Sequence, residues 1–553
     1  MFISYFPTSI GLPLAIYNIP LKEKIQNTRM YRPWIWITVC LLCATMIYGG
    51  KVLVFPVDGS HWVNMKVIIE DLHARGHQVS VVRTSDSWYI KETSPFYTSI
   101  TLETESGFDE DTLTTFVSHM LEIQRTGKSA WMLFKLAMEE AQETAELHKK
   151  TNKMLEQIFE NKDFLRSLQD AKYDLVLADP FIPVGVILAH YLKLPLVLNV
   201  RWTSQGEGHF SIAPSPLSYV PLTGTVLSDK MSFLERLLNV IVFCFTEYQF
   251  TQHVSPTYKG LVDKYLGPDK DFASLFQAAD LWLMRVDFVF EFPRPTMPNV
   301  VYVGGFQCKP AKPLPEHLEE FVQSSGEHGF IIMSLGTLIG ELPHDLADEI
   351  AAAFAKLPQK VIWRHKGDRP ATLGNNTLLV DWMPQNDLLG HSKIKLFVAH
   401  GGTNGVQEAI YHGVPIVGLP LILDQPDNLL RIEVRGAGKI IDIFSMNEDI
   451  FFQGIQEVLN EPSYRMNMQR LSRLHRDQPM KPLDTALFWI EFVMRHKGAA
   501  HLRTESYRLP WYSYHSVDVI LFLLTIALLI LLFFAGLVWF CFRLCLKRKV
   551  KSD

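Results

Sequence analysis

Apolar positions along this chain switch between two periods, and the switching outlines its architecture. The run KVLVF at 51–55 is short and apolar and reads as a buried strand. After a loop at 56–60, Met65, Ile68, Ile69 and Leu72 recur at i, i+3, i+4 and i+7, one face of a helix. Gly76 ends that helix and residues 78–82 return as a strand, completing a βαβ unit. A second unit starts with a strand at 173–178, turns at Asp179-Pro180 and comes back through 196–198. Between the units, residues 105–170 are helical and charged, an elaboration on the sheet. Residues 233–245 are apolar with few charges. They suit a core segment, an acceptor-pocket wall or a membrane-contacting surface, and core is the expectation.

A proline-rich stretch at 309–315 marks a domain boundary, and beyond it the alternation restarts. Strands are expected at 330–334, 361–364, 378–380, 396–399, 416–418 and 439–441, with helices between. The class is α/β, with two doubly wound Rossmann-like domains facing a cleft. Ligands of such sheets bind beyond the carboxyl ends of the strands, so the loops there hold the candidate chemistry. The expected division is a leader and signal peptide at 1–49, an acceptor-binding domain at 50–305 and a second domain with closing helices at 306–500. A juxtamembrane segment at 501–518, a transmembrane helix at 519–541 and a basic tail at 542–553 follow.

The ends supply an address. Residues 519–541 contain no charge and are long enough to cross a hydrocarbon core of about 30 Å. Arg543, Lys547, Arg548, Lys549 and Lys551 follow, a flank that belongs in the cytosol, and Trp511, Tyr512 and Tyr514 precede it as an aromatic belt. Lys549 and Lys551, fifth and third from the end, resemble the dilysine signal that returns type I membrane proteins to the endoplasmic reticulum. Residues 34–48 are apolar behind Arg32, the pattern of a secretory signal, and Met30 is a second candidate start. Together these predict a lumenal body and a cytosolic tail. Asn375-Asn376-Thr377 is then an available glycosylation sequon at Asn375.

Composition narrows the field. With 48% hydrophobic and 20% charged residues among 553, the chain is neither disordered nor fibrous. A net charge of −5 and the lack of a recognisable motif argue against nucleic acid as a partner. Of six cysteines, Cys40, Cys43, Cys541 and Cys545 lie in the terminal apolar runs. Cys244 and Cys308 alone are left for the body, so its stability rests on core packing instead of a disulfide framework.

The densest chemistry runs from Trp382 to Gln425. His400-Gly401-Gly402-Thr403-Asn404-Gly405 follows a strand and opens a helix. Paired glycines let a ligand approach the backbone, and a helix N-terminus offers free N–H groups to a diphosphate. Asn404 and Glu408 share a helix face, placing an amide near phosphate and a carboxylate near a ribose diol. Trp382 offers a flat face for a base and Gln385 an amide for its edge. Asp424 and Gln425 suit sugar hydroxyls.

This segment resembles the signature of the family-1 UDP-glycosyltransferases, and most of all the vertebrate microsomal UDP-glucuronosyltransferases. The resemblance covers nearly all of 50–553 and includes DGSHW at 58–62, VGG at 303–305, SLGT at 334–337, QPMKPLD at 478–484 and FWIEFVMRHKG at 488–498. It implies the GT-B fold. It also implies that Trp382 stacks on uracil, that Gln385 contacts it and that Glu408 binds ribose. His400, Gly402, Asn404 and Gly405, with the Ser334, Gly336 and Thr337 loop, would hold the diphosphate. Arg285 would pair with the glucuronate carboxylate and discriminate against glucose. Thr337, where serine is frequent, and Val286-Asp287 after the arginine depart from the common form and bear on donor choice.

His61 sits at a loop-to-helix junction and Asp179 at the end of another strand of the same sheet. A carboxylate on one imidazole nitrogen fixes the tautomer and stabilises the cation formed when the other nitrogen takes a proton. The implied reaction is one in-line displacement with inversion, His61 deprotonating the acceptor hydroxyl as UDP leaves. The UDP-sugar is a co-substrate, and the scheme calls for no cofactor or metal. The D-x-D pairs Asp109/Asp111 and Asp269/Asp271 read as chance in polar stretches. Aromatics such as Trp88, Tyr89, Phe96, Trp131, Phe134, Trp202 and Phe210 suit small lipophilic acceptors. Self-association, with itself or a relative, is a further implication of the resemblance. Two alternatives stand: another donor (UDP-glucose, UDP-galactose or an N-acetylated sugar), or a non-catalytic nucleotide-sugar-binding membrane partner.

Overall fold

The computed structural model describes residues 49–103, 115, 119–120, 130–204, 206–336, 342–443 and 445–549. The expected leader and signal, Asp109 and Asp111, Thr337 and Lys551 lie outside them, as does the side chain of Lys549.

Two parallel sheets carry the chain. The first holds β1 (Lys51–Phe55), β2 (Gln78–Thr84), β3 (Thr98–Leu102), β4 (Leu175–Ala178), β5 (Leu196–Val200), β6 (Leu281–Met284) and β7 (Val300–Tyr302), in the order β3-β2-β1-β4-β5-β6-β7. The second holds β8 (Phe330–Ser334), β9 (Lys360–Arg364), β10 (Thr377–Val380), β11 (Ile394–Ala399), β12 (Ile416–Gly418) and β13 (Gly438–Ile440), in the order β10-β9-β8-β11-β12-β13. Every pairing is parallel, so each strand returns through a crossover that covers a sheet face. Burial on both faces explains why the central strands are continuous apolar runs and do not alternate.

The six strands expected beyond the proline-rich stretch all form, within a residue or two at each end. In the first sheet β3, β6 and β7 had not been anticipated. The helix Ser60–Ala74 buries Met65, Ile68, Ile69 and Leu72, the face its spacing predicted. The helix Pro482–His496, late in the chain, crosses back to the first sheet. Its Ala486, Leu487, Ile490 and Val493 share a core with Val52, Val54 and Met65. Asp280 secures this return, accepting from Ala499 N at 2.8 Å and Leu196 N at 3.1 Å.

The expectation that 233–245 is core is wrong. Those residues lie in the helix Phe233–Gln249, in which Asn239 is the one buried residue. Phe233 and Leu234 are 71% and 72% exposed, and Leu237, Leu238 and Ile241 are exposed with them. The physical reason is that Asn239, not an apolar side chain, faces the protein. Its amide donates to Leu217 O and Val220 O and accepts from Leu222 N, fastening the preceding loop.

Helix Val517–Lys549 contains the one segment, Val517–Leu544, that is long and apolar enough among the described residues to cross a membrane, and that segment is not buried against the body. Cys244, Cys308 and Cys541 are free. Asp271 caps the helix Phe272–Gln277, accepting from Ser274 N at 3.1 Å, so that half of one D-x-D pair has a local structural task.

Asn375 is exposed on the turn before β10, while its neighbour Asn376 points inward. The Asn376 amide donates to Phe354 O, Leu357 O and Gln359 O at 2.7, 3.0 and 3.0 Å. Asn376→Ala strands these carbonyls and should cost about 2 kcal/mol of stability. Thermal melting read alongside the gel mobility of the glycosylated form checks this, because the substitution leaves the Asn375 sequon intact.

Candidate active site

Strand order brings the first two residues together. β1 and β4 are neighbours with Phe55 opposite Ala178, and Asp179 N donates to Phe55 O at 2.9 Å. Asp179 therefore emerges beside the loop that climbs from β1 into the helix Ser60–Ala74. His61 sits in the first turn of that helix, and its Nδ1 lies 2.7 Å from Asp179 Oδ2. Since a carboxylate only accepts, Nδ1 carries the hydrogen and Nε2 keeps a free lone pair. The other Asp179 oxygen takes Phe181 N–H at 3.1 Å, so the carboxylate is fixed from both sides and wholly buried. The Phe181 ring stands 5.7 Å from the imidazole. Asp58 accepts from Trp88 N and Tyr89 N, which folds a second aromatic pair over the same loop.

The second sheet presents its own strand ends to this one. At the end of β8, Ser334 Oγ accepts from Gly336 N at 3.3 Å, and Gly336 takes φ +83°, where glycine alone is at ease. The His400 ring fills the gap between Gly336 and Gly402: a Cβ on either glycine would strike the imidazole. This is the physical reason for glycine at both positions. Burial lowers the His400 pKa to about 4, so it is a neutral ring at any working pH and offers an N–H rather than a charge. Gly402 caps the helix Thr403–His412, whose first turn carries Asn404 and Gly405.

Trp382, 72% exposed, lies in the turn between β10 and the helix Gln385–Leu389. Gln385 Nε2 donates to Glu408 Oε2 at 2.7 Å, joining two residues expected to read one nucleoside. Burial pushes the Glu408 carboxyl up to about 7, against the pull of that hydrogen bond.

Other predicted residues are already engaged. Asp424 is ion-paired with Arg201 of the first sheet and also accepts from Thr403 Oγ1 at 3.2 Å and Asn428 Nδ2 at 2.8 Å. Burial is the largest single influence and opposes its charge, but Arg201, Asn428 and Arg431 together hold the carboxyl below its ordinary value. Gln425 is buried and its Oε1 accepts from Leu421 N and Ile422 N, so that oxygen shapes its own loop. Arg285, directly after β6, is 4% exposed, and its Nε has no hydrogen-bond partner among the described residues. Burial brings it down to about 10, partly offset by Asp179, which leaves it cationic at neutral pH.

The residues that sequence reasoning missed bridge the two sheets. Asn64, one turn after His61, donates to Asn404 Oδ1 at 2.9 Å. Gln407 Nε2 donates to Arg285 O at 2.6 Å, and its Oε1 accepts from Gly305 N at 3.1 Å. Arg431 pairs with Glu291 at 2.9 Å, and Asp427 accepts from Gly224 N and Val226 N. Arg201 was discoverable, because it lies three residues beyond the strand predicted at 196–198, at the ligand-binding end. Asn64 carried a weaker signal, a polar residue on a helix face otherwise apolar.

Residues 50–552 match the UDP-glucoronosyl and UDP-glucosyl transferase family. The chain is 44% identical over 484 residues to UDP-glucuronosyltransferase 2A1 of Rattus norvegicus, covering 87% of this chain and 91% of that protein. It is 41% identical over 534 residues to UDP-glucuronosyltransferase 2B17 of Homo sapiens, covering 94% and 99%. Among solved structures, the spinosyn forosaminyltransferase SpnP aligns with a TM-score of 0.54 at 19% identity, covering 80% and 99%. The glycosyltransferase VinC in complex with DTDP aligns with a TM-score of 0.53 at 18% identity, covering 81% and 100%. These two share the fold, the GT-B arrangement of paired Rossmann-like sheets.

The Glu408 carboxyl makes a pH test. In the ligand-free protein its raised pKa means that the folded state holds the proton longer than the unfolded one. Its contribution to stability should therefore fall as pH rises from about 4.5 to about 7. A ribose diol is better received by the carboxylate than by the acid. UDP affinity, followed by calorimetry from pH 6 to 8, should rise several-fold more in the wild type than in Glu408→Gln, which retains only the titration of the ligand's phosphate.

Proposed function

We propose, starting from the fact that the chain belongs to the UDP-glucoronosyl and UDP-glucosyl transferase family, that it transfers glucuronic acid from UDP-glucuronate to hydroxyl groups of small lipophilic acceptors. It is a membrane-anchored glycosyltransferase. The observation that carries the mechanism is the 2.7 Å hydrogen bond between Asp179 and His61 Nδ1, which leaves Nε2 as a base.

The acceptor hydroxyl gives its proton to Nε2 of His61 while its oxygen attacks the anomeric carbon. Asp179, charged and buried, balances the imidazolium that forms. UDP leaves from the opposite face, and the α-linked donor yields a β-linked product. The departing diphosphate rests against the helix start at Gly402–Asn404, the Ser334–Gly336 turn and the neutral His400, donors already in position before charge develops. Trp382 covers the uracil, Gln385 reads its edge and Glu408 receives the ribose. Gly405 lets the helix sit close to the ligand. Asp424 and Gln425 border the sugar, with Arg201 holding Asp424 ionised. Arg285 is read as the partner of the glucuronate carboxylate, supported by its buried charge and unused Nε. Acceptors meet Phe181, Trp88 and Tyr89, flat surfaces suited to phenols and steroids, as a xenobiotic-handling enzyme requires.

The body is read as lumenal in the endoplasmic reticulum, with a signal at 34–48 removed, Asn375 available for glycosylation, and Lys549 and Lys551 as the retrieval signal.

Two experiments test this reading. With UDP-glucuronate and a panel of phenols and steroids, His61→Ala and Asp179→Asn should each lose about 100- to 10,000-fold in kcat with UDP affinity unchanged. Full binding of UDP with no turnover of any acceptor by the wild type would instead favour a silent partner. Arg285→Ala should raise KM for UDP-glucuronate roughly tenfold to hundredfold and leave any UDP-glucose turnover unaffected. Equal loss with both donors would remove Arg285 from donor selection.

A further inference from the structure

The helix Phe233–Gln249 is built inside out for a protein in water. Its buried position is Asn239, and its outward stripe is Leu234, Leu237, Leu238, Ile241, Cys244 and Tyr248, at steps of three and four that keep them on one side. The helix is well formed in its own right. Ser232 and Glu235 close a reciprocal capping box, so the exposed stripe is not a frayed end. A contiguous apolar stripe of this size on a folded surface marks something that covers it.

The chain itself supplies the candidate. Upstream of the membrane-spanning helix, the juxtamembrane segment is tied to the first sheet's module: Arg503 Nη1 donates to Ala278 O at 2.6 Å and Tyr507 Oη to Ile212 O at 3.2 Å. Ile212 ends the short helix Gly208–Ile212, whose Phe210 ring lies 5.9 Å from that of Phe243 on the apolar helix. The span begins at Val517, ten residues after Tyr507, a reach of at most about 36 Å. Trp511, Tyr512 and Tyr514 stand exposed in that interval, as interfacial anchors do. The apolar helix, through Phe243 on its inner side, and the juxtamembrane segment, through Tyr507, thus pack against the same short helix, with the stripe turned outward from it.

We propose that the helix Phe233–Gln249 lies in the surface of the same bilayer that holds the span, its stripe sunk into the boundary between headgroups and acyl chains. The body then rests on the membrane at two places, and the first sheet's module is held at a set height and orientation above it. Lipophilic acceptors dissolved in that leaflet would meet the module that carries His61 without crossing bulk water. The proposal rests on reading Val517–Leu544 as a membrane span, and the test separates the two.

Full-length chains are reconstituted in phospholipid nanodiscs and labelled with the fluorophore NBD at single sites: native Cys244, native Cys541 within the span, and Asn375→Cys on an exposed turn. In each labelled chain every other cysteine, the part-exposed Cys308 included, is replaced by Ala. UDP binding confirms that each chain is folded. Lipids bearing a nitroxide high on the acyl chain should quench Cys244 several-fold more than Asn375→Cys, and more than lipids with the nitroxide at the chain end. If Cys541 is quenched while Cys244 behaves like Asn375→Cys, the proposal is overturned and the span stands. A Cys244 label shielded from both lipid nitroxide and aqueous iodide would mean that a second copy covers the stripe, which also overturns it. An unquenched Cys541 removes the span and the proposal together.

Discussion

The pairing of β1 with β4, Phe55 opposite Ala178, is the constraint from which the active site follows. Parallel strands point all their carboxyl ends one way, so the residues that leave two adjacent strands emerge side by side whatever their separation in sequence. His61 and Asp179 are 118 positions apart and meet at 2.7 Å for that reason. Removing the register between these two strands would leave a histidine on a helix end and a carboxylate on a loop, with no shared chemistry. The apolar residues of the strands therefore reach the site: Val52, Leu53 and Val54 set the height at which His61 stands.

The second sheet is held to the first by polar side chains that include residues of the proposed donor site. Arg201 pairs with Asp424, Asn64 with Asn404, and Gln407 with the backbone of Arg285 and Gly305. Ion pairs this well buried repay their desolvation only when further hydrogen bonds complete them, and here Asn428 serves both partners of the Arg201–Asp424 pair. A donor that contacts Asn404 and Asp424 thus competes with, or adds to, the contacts that close the cleft. On the proposed donor assignments, the atoms that would meet the donor are among those that hold the two halves together.

Much of this was legible before any coordinates. The strands beyond the proline-rich stretch were plain because each is a short apolar run between glycine- or proline-marked turns, and the Trp382–Gln425 segment announced its chemistry by residue type. What escaped has physical causes. β3, TSITL, is a half-exposed edge strand with no apolar run, and β7 has three residues. Helix 233–249 misled because hydrophobic content was taken for burial, when a single asparagine was the residue facing in. Arg201 and Gln425 show the limit of reading sites by type: Gln425 was expected at the sugar yet spends its oxygen on its own loop, while Arg201 drew no attention although it governs Asp424.

The proposed reaction is a single displacement with His61 as base, and the anomeric configuration of the product reports it directly. Wild-type protein in membranes is given UDP-glucuronate and a simple phenol, and the conjugate is examined by proton NMR before any equilibration. A β-linked glucuronide, from the α-linked donor, is the result predicted. An α-linked product would require two displacements through an intermediate on the enzyme, and would contradict the assignment of His61 as the base of a single step.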